Sequence, residues 1–278
     1  MKVRDSISIV LVALGLGLLF GPGLGQERPL AIATTSLLAD FAETVGGDRI
    51  EVYTITPSGI CPAHYDIKPS DVRAIAQASL VLYHGIESWL DDLITASGNA
   101  DVKRVQLKGP WNVPSLAAEK VGLIGDALGG IAPDDAEYFS ANAEALQEAI
   151  DGLAQELLTG AEGLNVNEAK AIVMQWQEGF VGWLGFEVVA TYPPPEMLSL
   201  KEVDHLIQTG REQGVALVVD NLQSGPDFGA RLAYEVGAVH VVLTNFPGAL
   251  PGTATHLEML RYNADKLFEA LRTYRGEE

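Results

Sequence analysis

Ile50-Glu51-Val52-Tyr53-Thr54-Ile55, Pro57-Ser58-Gly59-Ile60-Cys61-Pro62 and Pro69-Ser70-Asp71-Val72, with Ile75 and Ala76 behind them, form the stretch that sets the fold. The first segment alternates apolar and polar side chains, the period of a half-buried strand. The second is loop chemistry, because Pro and Gly interrupt both regular periods. The third opens a helix: Ser can cap free backbone N–H groups, and Asp suits the positive first turn. A strand, a loop and a helix in that order make one βα unit.

The unit recurs on both sides. Leu30 to Thr34 predicts a strand and Ser36 to Val45 a helix stopped by Gly46-Gly47; Leu80-Val-Leu-Tyr predicts a buried strand, Glu87 to Thr95 a helix, and Val102 to Leu107 another strand. Strands alternating with helices build a mostly parallel, doubly wound sheet. After Gly109-Pro110-Trp111-Asn112-Val113-Pro114 and a helical passage, Pro133 opens the longest periodic segment. There Phe139, Ala143, Leu146, Ile150, Leu153 and Leu157 form one apolar stripe at spacings of four and three.

The βα grammar then returns. Strands are expected over Ala169 to Gln175, Phe186 to Thr191, Val215 to Asp220 and Val239 to Thr244, and helices over Leu200 to Gln213, Asp227 to Val236 and Thr255 to Thr273. The fold class is therefore α/β, with two Rossmann-like lobes of parallel sheet joined by a long, rigid helix. The expected organisation is a signal peptide at 1–25, a first lobe at 26–130, a connecting helix at 131–163 and a second lobe at 164–278. Roughly 250 residues after the leader suit two cores better than one.

The leader reading rests on Lys2 and Arg4, an apolar run from Ile7 to Phe20, and small residues at Gly23-Leu24-Gly25. That run, roughly 14 residues, is short for a membrane span of about 20. No Cys follows it to accept a lipid, so an exported protein of the periplasm or cell envelope is expected. A formal charge of −19 makes nucleic acid and anionic lipid poor partners and favours the approach of cations. Cys61 is the only cysteine, so no intrachain disulfide forms. No Gly-rich phosphate loop, nucleophile elbow or His-Glu-x-x-His motif occurs, and nothing in the sequence argues for an enzyme.

Cys61 and His64 are both metal-capable and sit on a loop at the carboxyl end of a strand, where open α/β sheets bind ligands. A Cys-x-x-His spacing fixes only two ligands of the four or so that a closed site needs. By itself it is equally a surface turn.

The run Ser36-Leu-Leu-Ala-Asp-Phe, Val45-Gly-Gly-Asp-Arg-Ile, Pro57 to Asp71, and Ala78-Ser-Leu-Val-Leu-Tyr-His-Gly-Ile-Glu-Ser-Trp-Leu resembles the TroA-like (cluster A-I) zinc and manganese receptors of ABC importers. So do Pro133-Asp-Asp-Ala-Glu-Tyr-Phe-Ser-Ala-Asn-Ala and His256-Leu-Glu-Met-Leu-Arg-Tyr-Asn. The resemblance implies a monomeric exported receptor that captures a divalent metal between its lobes and delivers it to a membrane permease. It also implies metal ligands at four places. In this chain those places hold Ala63 (or His64, after a one-residue loop shift), Trp111, Trp176 followed by Gln177 and Glu178, and Asn245.

Two cargo readings follow. In the first, His64, Cys61 and Glu178 hold the metal, and a Cys–His pair favours zinc over manganese. In the second, Trp111 and Trp176 grip a small organic or metal-chelate ligand by stacking or cation–π contact, with Asn245 and Asp220 as further contacts. The two Trp could also simply fill space, and Asp220 could be a turn cap. An adhesin or a hydrolase on the same scaffold is the reading from outside transport. It would need an exposed apolar patch or a paired acid and base in the cleft.

Overall fold

In the computed structural model, which describes residues 28–277, two four-stranded parallel sheets share one topology. The expected leader, with its cleavage point after Gly25, lies outside the described residues.

The first sheet contains β1 (Leu30–Ala33), β2 (Glu51–Thr54), β3 (Leu80–Tyr83) and β4 (Lys103–Gln106), in the order β2-β1-β3-β4. Its helices are α1 (Ser36–Gly46), α2 (Pro69–Gln77), α3 (Leu90–Ser97) and α4 (Pro114–Gly129). Next comes α5 (Ala136–Gly163), 28 residues long and preceded by a 3-10 turn at Pro133–Asp135. The second sheet contains β5 (Lys170–Met174), β6 (Glu187–Tyr192), β7 (Leu217–Asn221) and β8 (Val239–Leu243), in the order β6-β5-β7-β8. Around it pack α6 (Glu178–Trp183), α7 (Leu200–Gln213), α8 (Asp227–Val236) and α9 (His256–Arg275). Among the described residues, no helix is long and apolar enough to cross a membrane.

Helices cover both faces of each sheet because successive strand residues point to opposite sides. Ala31, Leu80 and Leu82 face α1, α4 and α5, whereas Ile32 and Val81 face α2 and α3. In the second sheet Ala171, Leu217 and Val219 face α5 and α9; Ile172 and Val218 face α7 and α8. The expected α5 stripe is buried throughout, and it divides. Phe139, Ala143, Leu146 and Ile150 enter the first lobe's core, while Leu153 and Leu157 enter the second's. One continuous helix is thereby fixed in two cores, which makes it a spine rather than a hinge.

The order 2-1-3-4 reverses direction between its two central strands, and there the loops splay to leave a crevice at the carboxyl ends. The crevices of the two sheets face each other across the seam between the lobes.

Candidate ligand-binding cleft

The seam holds a cleft of about 870 Å³. From the first lobe it is lined by the loop after β2 (Cys61, Pro62, Ala63), the turn after β3 (His84, Gly85, Ile86) and the segment after β4 (Lys108 to Asn112). The second lobe contributes Gln175, Trp176, Glu178, Phe180 and Trp183 from the turn after β5 and α6. It also supplies Asn221 at the end of β7, Gln223 and Ser224 beyond it, and Asn245 and Phe246 after β8.

The first-lobe wall is built on a buried carboxylate. Glu87 accepts from the Thr34 hydroxyl (2.6 Å) and from the backbone N–H groups of His84 (3.0 Å), Gly85 (2.6 Å) and Ile86 (2.9 Å). Burial pushes this carboxyl up, but those hydrogen bonds outweigh it and hold Glu87 below the ordinary carboxylate range. The turn it fixes presents His84. Leu107 O can only accept, so His84 Nδ1 carries the proton towards it (3.4 Å). The Thr35 hydroxyl, 2.9 Å away, then donates to Nε2. Burial drives the ring's pKa down to about 4, against the pull of Glu87. His84 is thus neutral with both nitrogens engaged, and it serves as wall rather than metal ligand.

Trp111 stacks on His84 at 4.0 Å between ring centroids, with 26° between planes, and lies 6.2 Å from Phe246 across the seam. Its carbonyl accepts from His256 Nε2 (3.1 Å), and buried Lys120 donates to the carbonyl of Pro110 next door (3.4 Å). Trp111 is therefore both packed and cleft-facing, whereas Trp176 is 51% exposed.

Four carboxamides meet across the seam beneath these rings. Gln177 Nε2 donates to Asn221 Oδ1 (3.1 Å) and Asn245 Oδ1 (2.9 Å), and Asn112 Nδ2, from the opposite lobe, donates to the same Asn245 oxygen. Sequence reasoning passed over Asn112, Asn221, Phe246 and Trp183. Each lies at or beyond a strand's carboxyl end or on the short helix that follows one, and that position was the available signal.

A family model described as ZnuA, zinc-uptake complex component A, periplasmic, matches residues 32–270. The chain belongs to this family. Over 113 residues it is 34% identical to the metal ABC transporter substrate-binding lipoprotein FimA of Streptococcus parasanguinis, a match spanning 37% of each chain. To the manganese-binding lipoprotein MntA of Halalkalibacterium halodurans it is 25% identical, over 97% of this chain and 99% of that protein. Among solved structures, the Mn-bound periplasmic metal binding protein of Candidatus Liberibacter asiaticus superposes with a TM-score of 0.76 at 18% identity, covering 88% of this chain and 100% of that one. A ZnuA crystal structure gives 0.75 at 22% identity with the same coverage. At these identities the likeness shows the fold.

The four positions to which the sequence resemblance assigns metal ligands, Ala63, Trp111, Trp176 and Asn245, all line this family member's cleft. The rebuilt set does not assemble in the same way. Cys61 and Glu178 face the cleft, but His64 is exposed and not part of its lining. The cause is local: Pro62–His64 is a single 3-10 turn, anchored on one side by Trp89 Nε1 donating to Pro62 O (2.7 Å). On the other side the Tyr65 hydroxyl donates to buried Asp71 (2.9 Å), so the residue between the anchors points to solvent. Among the described residues, no group of three His, Cys, Asp or Glu side chains is placed to hold a metal ion.

Asp220 is also absent from the cleft. Strand alternation turns it to the far face of β7, opposite Asn221. There it accepts from the Tyr192 hydroxyl and pairs with His240 Nε2 (2.7 Å). It lies against Gly229, where a Cβ would meet its Oδ2 at 2.0 Å. Asp220 ties β6 and β8 to β7 beneath Gly229 of α8, away from the cleft lining.

Proposed function

We propose that this chain is the exported receptor of an ABC importer and that it carries its metal as a complex with a small organic ligand. Acting as a monomer, it would present that complex to a membrane permease. The observation behind the reading is the character of the cleft. It is lined by Trp111, Trp176, Trp183, Phe180 and Phe246, and among the described residues its lining holds one Lys, Lys108, one Glu, Glu178, and no Asp or Arg. In a chain of formal charge −19, a crevice with a single carboxylate is poorly suited to strip and hold a bare dication. Such an ion needs several anionic or imidazole ligands to replace its water. A cleft of about 870 Å³ is instead the size of an organic ligand site. The transport reading itself rests on the family match and on relatives named as metal and manganese transport lipoproteins.

Native mass spectrometry with elemental analysis, on protein purified without added metal, tests this reading. The expected result is a stoichiometric adduct hundreds of daltons heavier than any single ion, with a transition metal in it. A bare zinc or manganese ion at one per chain would refute it.

A second reading is favoured by Cys61 and Glu178 facing one cleft. Release of the 3-10 turn at Pro62–His64 would let His64 join them around a bare ion, and the thiolate and imidazole would select zinc over manganese. It expects His64→Ala to lose zinc by roughly a hundredfold, as for removal of a direct ligand.

A further inference from the structure

The carboxamides on the cleft floor are wired in one direction, and that direction exposes a pattern. Gln177 spends its Nε2 on Asn221 and Asn245, so Asn245 must turn its Oδ1 inwards to accept. Asn112 then has to donate its Nδ2 to the same oxygen. Three groups of the network are left over among the described residues. Gln177 Oε1 is buried behind the lining and Asn112 Oδ1 is buried on it, and neither accepts a hydrogen bond; Asn245 Nδ2, on the lining from the other lobe, makes none and is not enclosed. Asn112 and Asn245 line the cleft, and both are about 95% buried or more, at 4% and 5% exposure. A buried acceptor without a donor costs the molecule as much as a lost hydrogen bond, so a group that supplies the donor gains that amount on binding. The flanking walls are rings: Trp111 belongs to the His84–Trp111–Phe246 stack, and Trp176, 51% exposed, lines the second-lobe side on the Gln175–Gln177 turn.

We propose that this floor reads an amide-like edge on a flat organic ligand, with Asn245 Nδ2 donating to the ligand's carbonyl and Asn112 Oδ1 accepting from the adjacent N–H or O–H. Lactams, carboxamides and hydroxamic acids carry that edge. Simple carboxylates lack the donor, and tetraalkylammonium ions lack both groups. Because the two amides come from opposite lobes, the ligand edge also ties the lobes together. The inference depends on the organic-complex reading above, since a bare ion has no such edge.

A matched pair of probes tests it: 2-quinolone, a flat bicycle with neighbouring N–H and C=O, and N-methyl-2-quinolone, which keeps the ring and the carbonyl but has no donor. Calorimetry or tryptophan quenching on the purified chain should show 2-quinolone binding at least tenfold more tightly. In Asn112→Leu that preference should vanish. Equal binding of both compounds by the parent chain would overturn the amide-edge inference and leave the aromatic cargo reading standing. Binding of neither compound, with stoichiometric uptake of zinc or manganese salts alone, would overturn both.

Discussion

Asp40 offers the sharpest quantitative test of how the lobes are held together. It sits on α1 in the first lobe, and its Oδ2 accepts from the backbone N–H of His256, the first residue of α9 in the second (2.9 Å). Burial raises its carboxyl from 3.8 to about 6, partly opposed by the His256 N–H and reinforced by the neighbouring carboxylates of Glu43 and Glu258. A raised acid binds its proton more tightly folded than unfolded. The folded chain therefore holds the extra proton between pH 4 and 6, and this contribution to stability is lost as pH rises through that window. A shift of that size corresponds to roughly 3 kcal/mol, and solvent reaching the partly buried side chain reduces it to about 2. Asp40→Asn keeps a carbonyl to accept from His256 and removes the charge. At pH 7.5 the variant should be more stable than the parent by about 2 kcal/mol, a melting rise of roughly 4–8 °C for a chain of this size. At pH 4 the two should converge. Urea denaturation of both proteins at four pH values gives the difference directly, and other titrating groups cancel in it. A difference independent of pH, or one that favours the parent at pH 7.5, would refute the reasoning.

Two further outcomes follow from buried polar groups away from the cleft. His256 is driven from 6.5 to about 4 by burial, so it should contribute stability above pH 6.5 that drains away as pH falls towards 4; His256→Gln should flatten that acid loss in pH-dependent unfolding, and parallel curves would contradict it. Removing Asp220 strands the Tyr192 hydroxyl and His240, so Asp220→Ala should cost about 3–5 kcal/mol in denaturation while cargo binding stays within twofold, and a cost under about 1 kcal/mol would show that the network is not structural.

How much of this was legible beforehand varies by element. The α7 and α8 limits, Leu200–Gln213 and Asp227–Val236, match the expected ones because capping and termination are local: Ser199 with Glu202 forms a capping box, and Gly214 and Gly237 take the left-handed turn that ends each helix. Strand ends moved by a residue or two at Lys103–Gln106 and Leu217–Asn221, because pairing with neighbouring strands decides where a strand stops.

The sequence alone determined the repeated βα alternation and the apolar stripe of the spine helix, since both depend on periodicity and chain order, and its resemblance to the family pointed to positions that line the cleft. Only the tertiary structure decided what those positions do. Asp220 and Asn221 are adjacent in sequence, yet the pleat sends one to the sheet's far face and the other to the cleft. His64 and Cys61 are three residues apart, yet the anchored 3-10 turn leaves one in solvent and the other on the wall. Asn112 and Asn245 are 133 residues apart and hydrogen-bonded. A side chain's partner depends on where the other lobe's loops arrive, and no local sequence signal encodes a meeting across that distance.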